Sequence, residues 1–259
     1  MSHVFDMLGV IYPRRKVWRI KVRVISLWTV KSVFRANQIN SLEMVLIDEK
    51  GDKIQASIRR QLIYMFLSKI VEGNVYKMSH FIVVPADDCY RTNFYPYKLI
   101  FRMKTKVRYC PNDAIDRYGF NATNITQIYS FGVDHRYLID VIGVVTGITN
   151  EREYIRNAKI TRMIILELTD QSGGKVECIL FGEYVSLFHE LIAKNSGKLP
   201  VIVIQFGIVK LFRDKVSIQN VDSATRIYFD PSAEDVVAFK NRLVYVRPKI
   251  SLYRFSKEL

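Results

Sequence analysis

The chain has 259 residues, of which 49% are hydrophobic and 12% aromatic, and it carries a formal net charge of +14. A length of this order makes one large domain or two of roughly 100–150 residues, and this much apolar content excludes global disorder. No run approaches the ~18 apolar residues of a transmembrane helix, and the first twelve residues, with Asp6 and no basic start before an apolar stretch, do not read as a secretory signal.

The first predicted element is a strand at Trp18–Val30 (WRIKVRVISLWTV), where Arg19, Lys21 and Arg23 alternate with Ile20, Val22 and Val24. Period-2 alternation of charged and β-branched residues describes a strand with one wet, cationic face. Leu42–Asp48 and Lys53–Ile58 follow as a hairpin around the Gly-bearing turn Glu49–Asp52. Leu62, Met65, Phe66 and Ile70 recur at helical spacing and predict a helix over Gln61–Val71, which Gly73–Asn74 ends. Val75–Val84 and Tyr97–Met103 read as two more strands.

The second half repeats this order. Tyr137–Thr149 is a strand, Arg162–Thr169 and Lys175–Phe181 form a hairpin, Tyr184–Ala193 is a helix, and Pro200–Val209 and Lys215–Asn220 are strands. Superposing the hairpins aligns Asp48 with Asp170, Gly51 with Gly173 and Lys53 with Lys175, and puts Arg59 where Phe181 stands. The chain therefore reads as an internal repeat of about 120 residues. The expected fold is all-β dominated: two tandem five-stranded OB-fold barrels, each with a helix between strands 3 and 4. The first barrel spans residues 1–110 and the second 128–245, with 111–127 as a linker and 246–259 as a basic tail.

The charge is unevenly placed, with 20 Lys/Arg against 8 Asp/Glu in residues 1–110. Such a field favours a polyanion, nucleic acid before an anionic membrane. The three cysteines and four histidines are scattered without metal-ligand spacing, so no metal or other cofactor is expected. No P-loop, nucleophile elbow or paired metal-binding carboxylates occur, and the adjacent pairs Asp87–Asp88 and Glu234–Asp235 suit no acid/base mechanism, so an enzyme is not expected.

In the second half DVIGVV, LELTDQSGGKVECILFGEYVSLF and LPVIVIQFGIVKLF, and in the first half WRIKVRV, LIDEKGDKIQASI and GNVYKMSHFIV, resemble the tandem ssDNA-binding OB folds of the replication protein A large subunit. IQASI and YRTNFYPYKLIF are similar to plant members and their shorter relatives. The resemblance covers about residues 15–245 and lacks the family's further domains, which implies a two-barrel paralogue or a fragment. It implies two aromatic base stackers per barrel, one ending the third strand and one in the last hairpin. These positions fall on Phe181 and Phe212 in the second barrel and on Tyr90 in the first, where Arg59 takes the place of the other aromatic. A guanidinium plane both stacks on a base and pairs with phosphate. Trp28 and Phe34, read as lying in the loop after the first strand, are further stacking candidates, whereas Phe66, Phe188 and Phe206 read as core. Lys31, Arg35, Arg59 and Arg91, with Lys210, Arg213 and Lys215 in the second barrel, are the candidate phosphate contacts.

The expected function is nuclear binding of single-stranded DNA with little sequence preference, in replication, repair or recombination. Replication protein A-type subunits or repair proteins are the expected partners, and a membrane is not. The alternatives are a protein–protein OB module with weakened DNA binding, favoured by Arg59 and the near-neutral second half, or single-stranded RNA binding.

Overall fold

The alternation that begins at Arg19 builds a long strand, β1 (Arg19–Lys31), which turns Ile20, Val22 and Val24 into a core and leaves Arg19 exposed. The computed structural model describes residues 5–32, 38–87, 90–111, 114–131, 136–156, 159–194, 201–212, 215–245 and 253–255. The chain divides into two units, Met1–Gly119 and Phe120–Leu259, each with its own hydrophobic core.

In the first unit β1 is followed by β2 (Ile39–Ile47), β3 (Lys53–Arg59), a 3-10 turn at Arg60–Leu62 and α1 (Ile63–Phe66). Then come β4 (Val75–Ser79), β5 (Ile82–Pro85), β6 (Tyr97–Ile100) and β7 (Lys106–Tyr109). β1 pairs antiparallel with β2 and β4, β2 with β3, and β3 lies parallel to β6, which pairs with β5. β4 and β5 are two halves of one strand interrupted at His80, whose φ is 63°. With that strand counted once, the neighbours run round the five strands of an OB fold.

The second unit opens on α2 (Ile125–Ile128) and continues through β8 (Leu138–Thr149), β9 (Arg152–Arg156), β10 (Lys159–Thr169) and β11 (Lys175–Phe181). It goes on with α3 (Glu183–Lys194), β12 (Val201–Phe212), β13 (Lys215–Gln219), β14 (Arg226–Phe229), α4 (Glu234–Tyr245) and β15 (Tyr253–Phe255). β8 pairs with β10 and β12, β10 with β11, β11 runs parallel to β13, and β13 pairs back to β12, which closes the barrel. α3 buries Tyr184, Val185 and Phe188 in that core.

The repeat holds at the level of single hydrogen bonds. Asp48 Oδ1 accepts the N–H groups of Lys50 (2.9 Å) and Asp52 (3.1 Å), and Asp170 Oδ1 those of Ser172 (2.8 Å) and Gly174 (2.9 Å). Gly51 and Gly173 share a φ of 84°, which only glycine adopts without strain. In the fourth strand Phe206, at φ 59°, matches His80. A threonine holds each break, Thr105 Oγ1 donating to the His80 carbonyl at 3.2 Å and Thr225 Oγ1 to that of Phe206 at 2.8 Å.

The structure departs from expectation in several elements. Val75–Val84, expected as one strand, is broken at His80. The helix expected over Gln61–Val71 is a single α turn, after which Lys69 donates three residues back to the Phe66 carbonyl in a tighter, 3-10-type turn. In the second unit β9 on β10 lies beyond the five, and each unit adds a short strand to its fourth, β7 on β4 and β14 on β12. β7 and β14 are four-residue runs (KVRY, RIYF) too short to show a period. α4 follows the second barrel, where Val236 and Phe239 pack with Ile142, Val201 and Val203, and β15 adds a parallel strand to β8. Within residues 111–127, Ile115 accepts from Arg23 of the first unit and Ile125 is buried in the second core.

Candidate nucleic-acid interface

An oligonucleotide crosses an OB fold over the outer face of strands two and three and the loops after strands one and four. In the second unit Phe181 ends β11 opposite Met163, half-buried, its N–H donating to Asn220 Oδ1 at 2.7 Å. Its ring lies 5.4 Å from that of Tyr154 at an interplanar angle of 54°. Tyr154 comes from β9, which pairs with the first half of β10 to make a hairpin between the first and second barrel strands. The ring is hidden in sequence because it sits in the charged stretch EREYIRN; the alternating runs on either side of Asn157–Ala158 were the available signal.

Phe212 ends β12 opposite Lys215 and is 68% exposed. Lys210, opposite Ser217, and Lys215 are exposed on the same hairpin, so the structure brings these three together. Arg213 lies outside the described residues.

In the first unit Arg59 ends β3 opposite Ser41. Its register from the turn aspartate is that of Phe181 opposite Met163, so the arginine holds the equivalent place, exposed to solvent. The last hairpin differs. Ala86 donates to the Pro96 carbonyl at 2.9 Å, so this hairpin's strands are joined by a longer connection than the one between Phe212 and Lys215, which pair with each other. This loop carries Tyr90, 43% exposed, and Phe94, 71% exposed. Phe94 does not stand out in sequence because it adjoins Tyr95 and Tyr97, which pack on each other with ring centroids 6.0 Å apart. The Tyr95 hydroxyl donates to the Ile11 carbonyl at 2.7 Å, and burial pushes its phenol above the ordinary value.

Arg91, an expected phosphate contact, and two cations of the first strand have partners within the unit. Arg91 donates to the Tyr95 carbonyl at 2.6 Å and so braces the loop. Arg23 donates to the carbonyls of Gly73 and Ile115, and Lys21 pairs with Glu49 at 3.2 Å. Trp28 lies within β1, inside the bounds expected for the first strand, and β1 runs one residue past Val30, so that Lys31 closes it opposite Ile39. Trp28 is half-buried opposite Glu43, and Lys31 is exposed at the strand end. Phe34 and Arg35 lie outside the described residues. Phe66, Phe188 and Phe206 are buried.

Residues 10–130 match a family model described as a domain of unknown function, DUF223. Three of the replication protein A 70 kDa DNA-binding subunits of Arabidopsis thaliana are similar in sequence. One is 25% identical over 230 residues, covering 86% of this chain and 29% of its own. Another is 27% identical over 213 residues, covering 80% and 25%, and a third is 26% identical over 232 residues, covering 86% and 35%. The chain is homologous to these replication protein A large subunits. It spans about a third of their length or less. The solved structure of a replication protein A heterotrimer bound to ssDNA shares the fold, with a TM-score of 0.63 at 19% identity over 98% of this chain and 58% of the other.

Proposed function

We propose that this chain binds single-stranded DNA, with stacking concentrated in the second unit and charge in the first. The observation that carries this reading is the second unit's pair of ring sites. Phe181 with Tyr154 stands at the end of the third barrel strand, and Phe212 stands between Lys210 and Lys215 on the last hairpin. Stacking contributes about 1–3 kcal/mol per base and is tolerant of sequence. Arg59, Lys31, Lys210 and Lys215 supply cations for phosphates. The relatives are named as DNA-binding subunits, which supports the same reading. The work is then non-catalytic and nuclear, holding strands exposed in replication, repair or recombination alongside further replication protein A-type subunits.

The test is a titration of fluorescent oligothymidine against salt. With about four to six phosphates neutralised, log affinity falls against log salt with a slope near −0.7 per phosphate, or about −3 to −4. A flat response, or no binding, favours the protein–protein module in its place. Equal competition by oligouridine extends the reading to RNA.

A further inference from the structure

The outer face of β2 and β3 in the first unit holds a carboxylate that the stacking and phosphate contacts above do not use. Leu42 and Met44 enter the core, so Glu43 between them lies on the outer face. It is 8% exposed. Its Oε1 accepts from Ser57 Oγ at 2.6 Å and its Oε2 from Gln55 Nε2 at 3.3 Å. Both partners are neutral, and among the described residues no lysine or arginine forms an ion pair with Glu43. A carboxylate this far out of water is costly unless its charge meets further donors. Each carboxylate oxygen has a second lone pair to offer.

The neighbours define what could supply those donors. Trp28 lies directly across from Glu43 on β1, Ser57 directly across on β3, and Arg59 stands one outward-facing position further along β3. Thr92, from the loop carrying Tyr90, reaches Gln55 Oε1 at 3.4 Å and marks the other edge. An indole, a two-oxygen acceptor and a cation thus share one patch of the expected groove. A nucleobase recognised on its Watson–Crick edge while stacked fits that set. Among the four bases only guanine presents two adjacent N–H donors, N1–H and the N2 amino group, to match two carboxylate oxygens in one plane.

We infer that Glu43 makes this patch a guanine-reading subsite. The inference rests on the single-strand-binding reading and adds a base preference at one position within it.

The experiment is competition against fluorescent dT15 on the full chain, using dT15 with one central dG, dA, dC or dI. The dG oligomer competes about tenfold better than dT15, as a bidentate contact predicts. The dI oligomer, which lacks the N2 amino group, falls between them. In E43Q, with folding checked by thermal melting, the ratio of dG to dT affinities drops to near one. Equal affinities in a chain that binds dT15, a preference for dC or dA, or a dG preference surviving in E43Q each overturns the inference and leaves single-strand binding intact. Failure to bind any oligomer overturns both.

Discussion

Phe181 and Arg59 occupy the same register in two copies of one barrel, opposite Met163 and Ser41. A phenyl ring offers a base its face and little else, whereas a guanidinium adds a charge for phosphate. Replacing Phe181 and Phe212 together by alanine is expected to weaken oligothymidine binding by about 2–6 kcal/mol while the protein stays folded. Unchanged affinity in a folded double variant would show both rings idle. Replacing Arg59 by alanine is expected to lower the salt slope by about 0.7, the value of one phosphate contact on a single strand. An unaltered slope would remove Arg59 from the interface. The alignment through the turn aspartates set Arg59 at the place of Phe181, because local spacing suffices for strand ends, whereas the stacking expected of Phe181 and Phe212 came from the family resemblance. Trp28 needed the β1–β2 register, and Tyr154 needed its contact with Phe181, which lies far away in sequence. Cys178 is fully buried, and desolvation pushes its thiol well up. Alkylation of the native protein at mild alkaline pH is therefore expected to spare Cys178 and to reach it only on unfolding.

The two hairpin turns are one device made twice: an aspartate gathers the N–H groups inside the turn, and a glycine takes the left-handed step. Because the partners are two and four residues away, this element is legible in sequence as Asp-x-x-Gly. Asp48→Ala and Asp170→Ala each strand these donors, and each is expected to cost about 1–3 kcal/mol in denaturant unfolding. Equal stability to the parent would mean that water replaces the carboxylate. The breaks at His80 and Phe206 were not legible, because positive φ is uncommon for any residue but glycine and a lone histidine or phenylalanine does not signal it. Their hydroxyl partners, Thr105 and Thr225, lie about 20 residues downstream and meet them only once the barrel has formed. For the same reason β7 and β14, which begin just after those threonines, had no local signature.

At the scale of the whole chain, each unit has its own core, one built around Trp18, Phe66 and Phe101 and the other around Phe188, Ile202 and Ile204. Fragments 1–119 and 120–259 are accordingly expected to fold separately, each with a cooperative thermal transition. Loss of the transition in either fragment would show that its core depends on the other. The net charge of +14 is concentrated in the first half, so the first fragment is expected to show the steeper salt dependence of binding. Part of that charge is used internally, by Arg23 and Lys21, so formal charge overstates what faces a ligand.

The amino-acid sequence by itself determined the duplication, the strand order, the turn chemistry and the excess of cations, because all of these are written in neighbours a few residues apart. Only the tertiary structure decided which cations are exposed, that Tyr154 joins Phe181, that the first unit's last hairpin is a long aromatic loop, and that Glu43 lies on the outer face of β2. Those depend on register and closure between segments far apart in the chain. The excess of positive charge is shared between arginines and lysines that brace the barrels and those that face the proposed groove.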